Sequence, residues 1–186
     1  MTKKLLLATA NMALGLCFVI FWNSAVYADG GVYSNNKYGI AFDIPNGVQV
    51  YTAENPGPLR PQISLTSPIY IVNTSFTEEN INVIVSEGVS SSDLMSFKKM
   101  LDDNPNMSVP QYKRVSVSSI KIGKHKNKDA VEHLFFMKGN IMGKLRQITF
   151  SHNGRWFTFT CATAVDRFDK TNKTFFDPIF TSMEFK

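Results

Sequence analysis

The segment "KLRQITFSHNGRWFTFTC", Lys144 to Cys161, constrains the fold more than any other part of this chain. Asn153-Gly154 sits between two runs that alternate apolar and polar residues. A two-residue type I′ turn needs positive φ at both central positions, and Asn-Gly supplies it at little steric cost. That turn sets the pairing. Ser151 faces Trp156, Phe150 faces Phe157, Thr149 faces Thr158, Ile148 faces Phe159, and Arg146 faces Cys161. Strand side chains alternate between faces, so Ile148, Phe150, Phe157, Phe159 and Cys161 share one side. Gln147, Thr149, Ser151, Trp156, Thr158 and Thr160 share the other. One buried and one polar side is the expected outcome.

This register also decides the chemistry of the stretch. Cys161 falls among buried phenylalanines, where a free thiol is a small apolar filler with a raised pKa. His152 sits at the far tip, too distant to act as its base, and reads as a surface residue. Arg146 lies opposite the cysteine.

The flanking sequence repeats strand signals. "YGIAFDI" alternates Tyr38, Ile40, Phe42 and Ile44 against smaller or polar residues, stops at Pro45-Asn46-Gly47, and is followed by a short return strand, Val48 to Tyr51. "ENPGPLRP" is an exposed connection that cannot join a central ladder, and Pro56 to Pro61 could border a cleft. "IYIVNTSF" and "INVIVSEG" read as strands separated by "TEEN". "YKRVSVSSIKIG" shows a phase slip at Ser118-Ser119 that suggests a bulge. "DAVEHLFFMKG" is apolar on both faces, as a strand covered on both sides would be.

Two segments change to helical spacing. Leu94, Phe97 and Leu101 recur over about 91–103, with serines 90–92 as N-cap candidates and Asp93 in the first turn. Phe168, Phe175, Phe176, Ile179, Phe180 and Met183 do so over about 166–182. Pro178 predicts a break or a new first turn near Asp177. The sum is α+β: an α/β/α sandwich with a central, mainly antiparallel sheet and two main helices.

Export is written at the N-terminus. Lys3 and Lys4 precede an apolar run from Leu5 to Trp22, and "VYA" supplies a cleavage site after Ala28. Residues 1–28 therefore read as a signal peptide, 29–36 as a flexible lead-in and 37–186 as one domain. The protein is expected to be periplasmic or extracellular. The apolar run is also long enough for an uncleaved membrane anchor, which is the alternative. Leu16 before Cys17 argues against lipidation. After cleavage the formal charge of +5 falls to about +3, spread along the chain, which excludes a nucleic-acid footprint. Cys161 is then the remaining thiol, so no internal disulfide forms.

The order and pattern of "YGIAFDIPNGVQVY", the helix after "INVIVSEGVS", "KLRQITFSHNGRWFTFTCATA" and "FFDPIFTSMEFK" resemble the PsbP-like superfamily over nearly all of Tyr33 to Lys186. Tyr38, Gly39, Pro45 and the closing Ser182 to Phe185 match its framing positions, while Val48 stands where an aromatic residue is usual. The resemblance implies the α/β/α sandwich and a non-enzymatic accessory or binding role. No motif carries over a metal or partner site.

No catalytic residue is identified, and no cofactor or metal is expected. His125, His133 and His152 lack partners at metal-ligand spacing. Glu78-Glu79 and Asp102-Asp103 read as solvated ends, and no phosphate loop or nucleophile elbow is present. The basic patch is "KIGKHKNKD". Lys121, Lys124, His125, Lys126 and Lys128 there, together with Trp156, are the candidate residues for contact with an envelope or extracellular protein partner. A solvated hairpin tip is the plain alternative. The competing function is a small-ligand or metal-binding carrier, or an enzyme, in the same compartment.

Overall fold

The computed structural model describes residues 30–52, 69–73, 79–87, 93–105, 111–138 and 142–186. The expected signal peptide, the Pro56–Pro61 connection and serines 90–92 lie outside these residues.

Among the described residues, ten strands form two antiparallel sheets. β3 (Val48–Thr52), β4 (Ile69–Asn73), β5 (Asn80–Glu87), β6 (Tyr112–Ile122), β7 (Lys128–Lys138), β8 (Met142–His152) and β9 (Arg155–Ala164) build the larger, in the order β3-β4-β5-β9-β8-β7-β6. β1 (Gly31–Asn35), β2 (Ile40–Ile44) and β10 (Glu184–Phe185) build the smaller, with β2 central. The β8–β9 hairpin has the register expected from Asn153-Gly154, down to Arg146 opposite Cys161. Asn153 takes φ 50° and Gly154 φ 71°, as the turn requires.

One face of the large sheet carries the main core. Ile148, Phe150, Phe157, Phe159 and Cys161 are fully buried with Ile69, Ile71, Ile81 and Val83. Phe150 and Phe157 stack across strands at 5.2 Å, and Phe159 meets Phe180 edge-on at 5.4 Å. The covering layer is the C-terminal helical run with Ile40 and Phe42 of the small sheet. On the other face lies α1 (Asp93–Asp103), whose Leu94, Phe97 and Leu101 pack against Val131, Trp156 and the half-buried Val117. These are the α1 positions chosen by the helical period.

Three expectations change. The lead-in at 29–36 contains a strand instead: β1 pairs along β2, with Tyr33 stacked on Phe42 at 4.8 Å. The strand after Gly47 does not return onto β2. β3 pairs with β4 in the other sheet, because Val48 is drawn into the core below it. The irregularity in β6 lies between Arg114 and Ser116, not at Ser118-Ser119. The slip in pattern at those serines has another cause. Val117 packs toward α1 while Ile120 and Ile122 pack toward the opposite core, so a regular strand merely changes its covered side.

The second helix is in pieces. A 3-10 turn at Val165–Arg167 leads to α2 (Phe168–Thr171), a π-helical turn at Asn172–Phe176 and α3 (Asp177–Ser182). Pro178 lies in the first turn of α3, where its missing N–H costs least. The wider turn before it places Phe175 and Phe176 side by side in the core.

Candidate functional site

The basic patch occupies the turn between β6 and β7, held firmly to the end of the chain. Gly123 N–H donates to Phe180 O and Lys124 N–H to Met183 O, both at 2.9 Å. Gly123 needs its positive φ of 90°, and a Cβ there would meet Met183 O at 3.0 Å. Lys124 pairs with Glu184 at 2.9 Å, which raises the lysine pKa and lowers that of the glutamate. Lys121 pairs with Asp129 at 2.7 Å. His125 and Lys126 are exposed at the tip.

Lys128 is different. It is half-buried, its Nζ lies 5.0 Å from the Phe185 ring centre and 3.5 Å from His152 Nδ1, and burial lowers its pKa. With Nδ1 accepting from lysine, His152 Nε2 carries the proton and donates to Gly39 O at 3.0 Å and Lys186 O at 3.1 Å. His152 is therefore not the surface residue expected from its place beside a turn. It is 8% exposed, and burial followed by the Lys128 charge lowers its pKa. Trp156 is also removed from the candidate surface. It is 8% exposed beneath Phe97, ring centres 5.4 Å apart, because α1 covers that end of the polar face.

The rest of that face holds an arrangement that the sequence showed only in part, through Gln147 and Thr160 on the polar side of the hairpin. Tyr51, Tyr70, Asn82, Thr160, Gln147 and His133 stand opposite one another in turn across β3, β4, β5, β9, β8 and β7. Gln147 donates to Thr160 Oγ1 at 3.1 Å, and Tyr112 OH lies 2.6 Å from His133 Nε2. Gln49, two positions from Tyr51 on the same face, accepts a hydrogen bond from the Tyr51 hydroxyl. Three buried side-chain atoms here have no hydrogen-bond partner: Gln49 Nε2, Asn82 Oδ1 and His133 Nδ1. Each such atom ordinarily costs about 1–3 kcal/mol, so their concentration on one face calls for an explanation. Burial pushes the Tyr70 and Tyr112 hydroxyls up to about 12. It drives His133 down to about 4; Gln147 opposes that shift and Arg114 adds to it. Polar residues alternating in a strand ordinarily mark a solvated face, which hid this row. The available signal was His133 itself, placed between Val131 and Phe135 on an otherwise apolar strand face.

Polar groups on the core side are paired. Arg146 donates to Glu132 and Asn172, each at 2.7 Å, and to Asp177, joining β7 and β8 to the helical run. Burial disfavours its charge, but the bond to Asp177 and the surrounding negative groups outweigh that and raise its pKa. Glu132 points away from His133, as alternation requires. Cys161 beside this network is fully buried, and burial pushes its thiol pKa far up, with Arg146 offsetting only part. Glu79, expected at a solvated end, is buried and accepts from Thr171 Oγ1 at 2.6 Å. Among the described residues no three His, Cys, Asp or Glu side chains converge to hold a metal.

No protein-family model matches this chain, and no curated protein is similar to it. Solved structures are. The solution structure of cyanobacterial PsbP (CyanoP) from Synechocystis sp. PCC 6803 aligns over 90% of this chain and 99% of its own, with a TM-score of 0.56 and 19% identity. LpqN, involved in cell envelope biogenesis of Mycobacterium tuberculosis, aligns over 83% of this chain and 88% of its own, with a TM-score of 0.55 and 12% identity. A crystal structure from Bacteroides thetaiotaomicron VPI-5482 aligns over 85% of this chain and 49% of its own, at 0.59 and 11%. The chain thus has the PsbP-like fold, as the framing residues implied.

Proposed function

We propose that this chain is an exported, non-enzymatic accessory protein of the cell envelope that acts by binding a protein partner. One observation carries the reading. The exposed basic tip at His125 and Lys126 is fixed in place by main-chain bonds to Phe180 and Met183, so little ordering remains to oppose contact with an acidic surface. The signal-peptide pattern and the likeness to LpqN, an envelope biogenesis protein, support the compartment.

The test is cross-linked capture from envelope extract, comparing the tagged chain with a His125→Glu/Lys126→Glu variant. Both side chains are exposed, so the variant is expected to fold. A reproducible partner whose recovery falls about tenfold, equivalent to about 1.4 kcal/mol, supports the reading. Equal recovery by both proteins, or no reproducible partner, removes it.

A further inference from the structure

We infer that the polar row on the α1 side of the large sheet is a binding site for a neutral saccharide. This goes beyond the proposed protein contact, which uses the turn before β7 and a different surface. The argument starts from the three unpartnered atoms. Gln49 Nε2 can only donate, and Asn82 Oδ1 can only accept. The neutral His133 ring offers Nδ1 as donor or acceptor according to the role Tyr112 takes at Nε2. A carboxylate or phosphate would leave Asn82 unmet, and an ammonium would leave Gln49 unmet. Hydroxyl groups both donate and accept, so a ligand carrying several satisfies every one.

Placement agrees with that chemistry. The row crosses the sheet with one polar side chain per strand, at intervals of about 4.8 Å, comparable with the length of one sugar unit. Gln49 and His133 near its two ends are only 5% and 2% exposed, while Asn82, Thr160 and Gln147 at its centre are half-buried. No charged side chain stands in the row. Arg114, one row away, is committed to the last carbonyls of α1, at 2.8 Å from Leu101 O and 3.3 Å from Asp102 O. The parallel row beside it, Ala162, Leu145 and Phe135, is buried and packed with Tyr112 and Met137, so it borders the polar row as a wall of the fold. A site built to bond hydroxyls rejects analogues that lack them, because its own buried groups are then stranded.

The experiment titrates the full chain with maltotetraose, cellotetraose and chitotetraose by calorimetry, and maps each by amide NMR. An acetylated, amidated tetra-alanine peptide serves as the amide comparator. Saturable binding of a saccharide, with shifts clustered on β5, β8 and β9, is the expected result. Gln147→Ala and Thr160→Val, at half-exposed positions, should each weaken it about tenfold or more. Lys126→Glu should leave it unchanged, which separates this site from the proposed protein contact. No saturable response to any of the three saccharides would mean that only water occupies the row, and would overturn the inference. Binding unmoved by Gln147→Ala and Thr160→Val, or tighter binding of the peptide, would do the same.

Discussion

His133 is a titratable ring buried with Nε2 against Tyr112, and burial disfavours its charged form in the native state. Its pKa falls from 6.5 to about 4, chiefly through burial. The sign of the consequence follows. Above pH 6.5 the ring is neutral in both states and adds no penalty. Between 6.5 and about 4 the unfolded chain takes up the proton first, so stability falls as pH falls. Below about 4 both states are protonated and the loss stays constant at about 3 kcal/mol. Urea unfolding of wild type and His133→Gln between pH 7.5 and 4 should show the variant lacking this part of the acid sensitivity. Identical pH profiles would count against a neutral buried ring. The sequence placed His133 in a strand and turned it away from Glu132, and both hold. Its depth and its partner did not show, because Tyr112 lies 21 residues away and meets it only when β6 pairs with β7.

At the scale of elements, Arg146 is one of the side chains that attach the interrupted C-terminal run to the sheet, beside Thr171 on Glu79 and Phe180 on Phe159. Arg146 bonds Glu132 of β7, Asn172 of the π-helical turn and Asp177 at the start of α3. Arg146→Met keeps the side-chain length and leaves two carboxylates without their cation. A destabilisation of about 2–3 kcal/mol is expected, read from the shift of the denaturant midpoint. Glu132→Gln should recover little of it, since Asp177 still lacks its cation and keeps only the Asn172 amide. An Arg146→Met midpoint within error of wild type would show that the Arg146 bonds add nothing measurable to the attachment of the helical run. The aromatic spacing and Pro178 marked both the run and its break. The π-helical turn was not legible, because it depends on fitting Phe175 and Phe176 into the same core.

At the scale of the whole molecule, the last residues tie the small sheet to the large one. β10 pairs with β2, Lys186 N–H donates to Gly39 O at 2.9 Å, and the Phe185 ring packs edge-on to Phe150 at 5.4 Å. His152 bonds Gly39 and Lys186 from the tip of β8, so both sheets and the chain end meet there. Phe185→Ala, removing a half-buried ring, should cost about 2 kcal/mol, below the range for a fully buried phenylalanine. Thermal unfolding should stay a single transition with a lower midpoint, and two separate transitions would show that the sheets are not coupled through this corner.

What the sequence determined by itself is whatever depends on neighbours along the chain. Asn153-Gly154 set the β8–β9 register, the alternation in those strands chose the core face and buried Cys161, and the period of Leu94, Phe97 and Leu101 set the buried stripe of α1. These are local because turn geometry and side-chain period act over a few residues. Only the tertiary structure decided which sheet each strand after Gly47 joins, that His152 and Trp156 are covered, and that Asn82, Thr160, Gln147 and His133 form a row. Those outcomes require strands distant in sequence to pair and a helix to land on one face. Polar residues that alone would read as a solvated face thereby become a partly buried one.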